Sequence, residues 1–175
     1  MTAAVRLLLV ITTAAAVTAG CGGASGTNGT TAMSTKAKST SAETSVASLK
    51  TAVRSAIQAD RQLSLYVLWN NRVPAWATRS TRGPALKALR EAAATRRRQG
   101  IQIKNLSGGY TISSITLAPT YAAATAVVRS HQRVAPYKAG RRLGKAISAS
   151  DHARVELHRV ANTPRFVVWR LTPIQ

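Results

Sequence analysis

Acidic side chains are what this sequence has least of. Only Glu43, Asp60, Glu91, Asp151 and Glu156 stand against 25 Lys and Arg, for a formal net charge of +20. No paired-carboxylate constellation is visible, nor a phosphate-cradling glycine loop or a nucleophile elbow. Cysteine occurs once, at Cys21, which excludes an intramolecular disulfide and a thiolate metal cluster. Three histidines are present. His152 and His158 share a strand face six residues apart, roughly 20 Å at about 3.3 Å per residue, too far to chelate one ion. His131 ends another strand and meets them only through strand register. No metal and no cofactor is expected. Long apolar runs are missing too: Leu7 to Val17 falls short of the roughly 20 residues that a spanning helix needs.

What that run does fit is an export signal. Arg6 is the one charged side chain in the first twenty residues, and the apolar stretch after it has the length of a signal h-region, about 7–15 residues. Small residues Ala19 and Gly20 then lead directly into Cys21. The sequence Val17-Thr18-Ala19-Gly20-Cys21 resembles a bacterial lipoprotein signal closed by its lipobox, with Thr18 where a larger aliphatic is usual. The resemblance implies that residues 1–20 are removed, that the Cys21 sulfur carries a diacylglycerol, and that the remainder is held at the extracytoplasmic face of the cell membrane.

Without Arg6 the charge is +19, a field that favours polyanionic neighbours. For an exported chain these are anionic lipid headgroups and cell-wall polymers, and clustered Lys or Arg near an anionic bilayer contribute about 1 kcal/mol each. Nucleic acid is not expected, because the chain carries an export signal and no nucleic-acid-binding motif.

Residues 21–44 are mostly Gly, Ser, Thr and Ala without apolar periodicity. Such a segment buries too little apolar surface to order itself, and as a flexible tether it would reach roughly 25–30 Å. Residues 45–175 then suffice for one domain. Leu49, Val53, Ala56, Ile57, Leu63 and Val67 fall at three- and four-residue steps, which predicts a helix over about 44–70 with Asp60 on its apolar face and Asn70-Asn71 as the stop. A connector holding Pro74 and Trp76 follows. Gly83-Pro84 opens a second helix to about Gln99, with Pro84 at the first helical position, Leu86, Leu89 and Ala93 as its stripe, and Gly100 as its cap.

From Ile101 the pattern turns to alternation and β-branched residues, which predicts strands over about 101–106, 110–117, 121–131, 149–160 and 165–171. Ser107-Gly108-Gly109, Ala118-Pro119-Thr120 and Asn162-Thr163-Pro164 read as turns, and Pro136–Lys145 as a longer basic loop. Alternation puts Ala153, Val155 and Leu157 on one face of the fourth strand, and in the last strand sets Val167, Trp169 and Leu171 against Phe166, Val168 and Arg170. The expected plan is α+β: N-terminal helices packed in a curved antiparallel β-sheet. Leu65-Tyr66-Val67-Leu68-Trp69-Asn70, Arg82-Gly83-Pro84-Ala85-Leu86, Arg96-Arg97-Arg98 and the final pair Val155-Glu156-Leu157 and Val167-Val168-Trp169-Arg170-Leu171 resemble the cone-shaped nuclear-transport-factor-2-like superfamily. The likeness is closest to its lipoprotein members in high-GC Gram-positive bacteria. It implies a domain over roughly 45–173, often with a pocket between helices and sheet, and it leaves catalysis open.

Each candidate site has two readings. Asp60 is either a pocket carboxylate acting as general base or a buried group held by an ion pair or hydrogen bond. Tyr66, Trp69 and Trp76 either line a pocket or fill the core. Arg96, Arg97 and Arg98 either bind an anion or complement a helix C-terminus. Lys138, Arg141, Arg142 and Lys145 have no such local reason and are the better polyanion contacts. The favoured expectation is a non-catalytic binding or scaffold domain for a protein partner, an apolar ligand or an anionic envelope component. Its alternatives are an isomerase- or hydrolase-like enzyme using Asp60 and a basic module for anionic lipids or wall polymers.

Overall fold

Ser45 begins the first helix. The computed structural model describes residues 45–174, so the expected signal peptide, Cys21 and the tether lie outside the described residues. The Ser45 hydroxyl accepts from the Ser48 amide at 3.2 Å, satisfying one of the helix's free amides. Helix α1 spans Val46–Asn70 and buries the stripe Leu49, Val53, Ala56, Ile57, Leu63 and Val67. It stops at Asn71, which adopts the left-handed conformation (φ 50°) and returns its amide to the Val67 carbonyl. A short 3-10 turn, Ala75–Arg79, leads to helix α2, Gly83–Gln99, which Gly100 closes with φ 67°.

Beyond α2 the chain forms β1 (Ile101–Leu117), β2 (Ala123–Lys138), the two-residue β3 (Arg141–Arg142), β4 (Ile147–Arg159) and β5 (Phe166–Pro173). The order is β1-β2-β4-β5, with β3 folded back on β2, and all strand pairs are antiparallel. The fold is therefore α+β, two helices against an open five-stranded sheet. Buried Ala124, Ala126, Val155, Leu157, Phe166 and Val168 meet the α1 stripe, and a second cluster of Leu63, Val67, Ala77, Leu86 and Ala93 joins the two helices.

Three strand expectations are corrected. Ser107-Gly108-Gly109 is not a turn, and β1 runs through it as one strand. The glycines are there for close approach: a Cβ on Gly108 (φ 151°) would collide with the His131 carbonyl oxygen. Breaks in register between Asn105 and Ser107 and between Ile112 and Ser114 shift the side-chain phase. Tyr110 and Ile112 before the second break, and Ile115 and Leu117 after it, consequently all face the core. Pro136–Lys145 is no irregular loop, because β2 continues to Lys138 and returns through Ala139 (φ 48°) and Gly140 (φ 76°) to pair Lys138 with Arg141. Two positive φ values at the centre are what a tight hairpin requires. In β5 the alternation breaks at Trp169, where Leu157 pairs Val168 and Glu156 pairs Arg170. Phe166, Val168 and Leu171 thus share the core face in place of a simple alternation. Trp169 stacks on His158 (centroids 4.6 Å apart, 8° between planes) and closes over Gly83, where a Cβ would sit 2.7 Å from its ring.

Candidate functional site

Asp60 lies on the inward side of α1, where the helical period puts it, and its partner comes from the connector. The Thr81 hydroxyl donates to Asp60 Oδ1 at 2.5 Å, and Ser80 Oγ lies 3.4 Å from Thr81 Oγ1. Both hydroxyl residues are buried. Ser80 and Arg82 bond the backbone of Val168 on either side, so the connector is held against β5 while Thr81 holds the helix. Burial pushes the Asp60 carboxyl up to about 6, against the opposing effect of the Thr81 hydrogen bond. Among the described residues the ion pairs are Lys87–Glu91 and Glu156–Arg170, each at 4.0 Å, and neither includes Asp60. The Asp60 carboxyl is thus buried with a hydroxyl as its partner. The group it meets, Thr81, was not legible as a partner, because the connector's path is set by the sheet.

The arginine run divides. Arg96 is buried, donating from Nε to Asn71 Oδ1 at 3.1 Å and from a guanidinium nitrogen to the Val67 carbonyl at 3.4 Å. Asn71 in turn donates to the Ile101 carbonyl at 2.6 Å. Arg96 thus satisfies the open C-terminal end of α1 and ties it to β1, and it is not free to contact an external anion. Arg97 and Arg98 are exposed. They stand beside the hairpin basic residues, because Ile101 pairs Lys138 and Lys138 pairs Arg141. A Cβ on Gly100 would lie 3.7 Å from Lys138 Cε. Two basic segments separated by some forty residues of sequence therefore meet at one end of the sheet, with Arg142 and Lys145 exposed next to them.

The three aromatics stand at the surface and not in the core. Tyr66, Trp69 and Trp76 are 39%, 39% and 42% exposed. Tyr66 meets Trp76 edge-on at 5.9 Å, and Trp69 meets Tyr137 edge-on at 5.7 Å. Tyr66 and Trp69 are three residues apart on one helix, so the two edge-on pairs are neighbours along α1. Tyr137, unmarked in the sequence, pairs across the strand with Arg142, so Arg142 shares its face and Lys138 lies on the other. Adjacent Leu143 is 42% exposed on the hairpin's return.

An open groove of about 430 Å³ lies elsewhere on the sheet, bordered by Thr111, Arg129, His131, Ser150, Asp151 and His152. Register puts Arg129 opposite His152 and His131 opposite Ser150. Burial raises the Asp151 carboxyl. Arg61 of α1 crosses to β1, donating to the Gly109 carbonyl at 3.0 Å and lying 5.2 Å from the Tyr110 ring centroid. Among the described residues no group of three or more His, Cys, Asp or Glu is placed to hold a metal ion, and no helix is long and apolar enough to cross a membrane.

No protein-family model matches the chain, and no curated protein does. Among solved structures, the chain is similar to the intermembrane-space region of the chloroplast protein ARC6, with a TM-score of 0.60 and 9% identity over 70% of this chain and 93% of that one. At that identity the likeness concerns the fold alone. A de novo designed β-sheet protein aligns with a TM-score of 0.31 and 18% identity, covering 73% of this chain and 88% of that one, and carries no argument.

Proposed function

We propose that this chain is a lipoprotein anchored through Cys21 at the extracytoplasmic face of the cell membrane, and that its domain is a non-catalytic binding module. The anchor rests on the sequence Leu7 to Cys21. The binding role rests on one observation: exposed cations of the α2 end and of the β2–β3 hairpin meet in one place, beside exposed aromatics. The domain itself we read as cone-shaped and nuclear-transport-factor-2-like, a reading supported by two helices followed by a bulged antiparallel meander.

Metabolic labelling with a radioactive acyl chain tests the anchor. Label should enter the parent chain and be absent from Cys21→Ala; equal labelling of both removes the lipoprotein reading. Sedimentation of the Cys21→Ala chain with purified envelope material tests the module, and retention by neither membrane vesicles nor wall polymers removes it.

A second reading is favoured by the raised Asp60 carboxyl, a value suited to proton transfer near neutrality. In it the domain is an isomerase- or hydrolase-like enzyme with Asp60 as base. The Thr81 hydroxyl would have to leave Asp60 for substrate to reach it. An activity abolished by Asp60→Asn, in a chain of unchanged fold, is the outcome that would establish this reading over the first.

A further inference from the structure

The exposed surface at the β1 start and the β2–β3 hairpin combines three chemistries, drawn from α1, the end of α2 and the hairpin. Its cations come from two elements: Arg97 and Arg98 from the end of α2, and Lys138, Arg141 and Arg142 from the hairpin. No acidic residue occurs between Glu91 and Asp151, the segment that supplies all five. The α2 C-terminus also carries a partial negative charge, but it is met by its own glycine cap and by the last-turn arginines. The positive field here is therefore not cancelled locally.

On one face of the hairpin stand half-buried Tyr137, packed edge-on at 83° against Trp69, and its cross-strand partner Arg142. Lys138 and Arg141 pair on the other face, so cations flank the rings from both sides of the hairpin. Leu143 is exposed between Arg142 and Gly144. An indole and a phenol in contact present an apolar body with polar N–H and O–H groups, which suits the boundary between hydrocarbon and water. A hydrated polymer would match the cations but would not reward an exposed leucine. Rings set near right angles also offer no flat platform for a sugar face. Lysine and arginine stems, by contrast, can bury their methylenes in the interface while their charges reach phosphate.

We propose that this end of the domain is a membrane-facing surface that binds anionic phospholipid headgroups, with Lys138, Arg141 and Arg142 contacting phosphates and Trp69, Tyr137 and Leu143 entering the interfacial layer. The proposal rests on the binding-module reading and specifies its ligand. It also gives a bilayer contact additional to the Cys21 anchor. One acyl signal with a basic patch holds a protein to a membrane much better than either one does.

The test is cosedimentation of the full chain carrying Cys21→Ala with vesicles of phosphatidylcholine alone, or of phosphatidylcholine and phosphatidylglycerol in equal parts. The triple variant K138Q/R141Q/R142Q should lose binding to the anionic vesicles by roughly tenfold or more. The charge-matched control R54Q/R129Q/R154Q, with substitutions away from this surface, should lose much less. In the parent, Trp69→Ala should weaken anionic binding several-fold and leave the salt dependence in place. The exposed positions are chosen so that all variants keep the parent's thermal unfolding, which is checked first. Equal losses in the triple and control variants would show that only net charge matters and would overturn the surface. Binding to purified wall polymer, weakened by the triple variant while anionic vesicles are ignored, would overturn the lipid assignment and leave the binding module standing. Binding to neither would remove both.

Discussion

Arg96 and Arg98 are two residues apart in one helical turn, yet they belong to regions governed by opposite physics. Around Arg96 the structure is a joint: α1, the connector, α2 and β1 are tied by buried polar contacts, Arg96 to Asn71 and Val67, Asn71 to Ile101, and Asp60 to Thr81. Around Arg98 cations point outward together, with no carboxylate between Glu91 and Asp151 to pair them. In the joint, each polar group is valuable because leaving its partner unsatisfied in a dry site is costly. At the basic end, each charge costs little in stability while solvated and has its effect on what approaches. The same side chain therefore supports folding in one place and recognition in the other, and the difference is burial.

Substitutions can break or sharpen this contrast, and the largest effect belongs to the centre on which both regions are built. Leu157 is fully buried between α1 and the sheet, so Leu157→Ala should cost about 2–5 kcal/mol in denaturant unfolding. A loss much smaller than that would mean the helix and sheet are not packed together there.

Asp60 comes next. Its carboxyl is raised from 3.8 to about 6 by burial, so between those pH values the folded chain holds a proton that the unfolded chain releases. Stability should fall as pH rises through that window, by at most about 3 kcal/mol, and remain at the lower level above it. Asp60→Asn retains an acceptor for Thr81, should remove that slope, and should be at least as stable as the parent at pH 7. Asp151 is raised in the same direction by burial, and some slope of the same sign should survive in Asp60→Asn. Thermal unfolding at pH 4 and pH 7 for both chains decides the matter, and an unchanged slope would sink the assignment.

In the joint, Arg96→Ala strips donors from Asn71 and Val67 and should cost about 1–3 kcal/mol. Arg96→Lys should recover only part of this, because an ammonium cannot reproduce the guanidinium fork. Arg97→Ala and Arg98→Ala should each stay within about 0.5 kcal/mol of the parent. If all three arginines cost the same, the contrast between joint and basic surface fails. If Arg97→Ala and Arg98→Ala also lower anionic-vesicle binding while Arg96→Lys does not, the contrast is sharpened into a division of labour.

Much of the frame was legible. The α1 stripe, its stop at Asn71, Pro84 in the first turn of α2 and the Gly100 cap follow from local periodicity and backbone preference, which neighbouring residues enforce by themselves. The face of β4 carrying Val155 and Leu157 was equally clear from alternation. What failed to show were features where two distant segments decide. Ser107-Gly108-Gly109 has turn chemistry but serves a strand, since the glycines admit the His131 backbone. Trp169 sits in a break of register that no alternation pattern can announce. Tyr66, Trp69 and Trp76 look like core or pocket residues because ring hydrophobicity says nothing about which side of α1 the sheet covers. Tyr137 gave no signal at all, because its meaning depends on Trp69.

The sequence by itself determined the two helices and their ends, the change to strands from Ile101, the cationic excess and the Cys21 motif, because local propensity, net charge and a short linear signal are properties of the chain in any conformation. Only the tertiary structure decided which charges are internal and which are shared on one surface. Burial and cross-strand register are set by non-local packing: the pairing of Ile101 with Lys138 and of Lys138 with Arg141 brings the α2 end to the hairpin, and the turn of α2 sends Arg96 inward and Arg98 out.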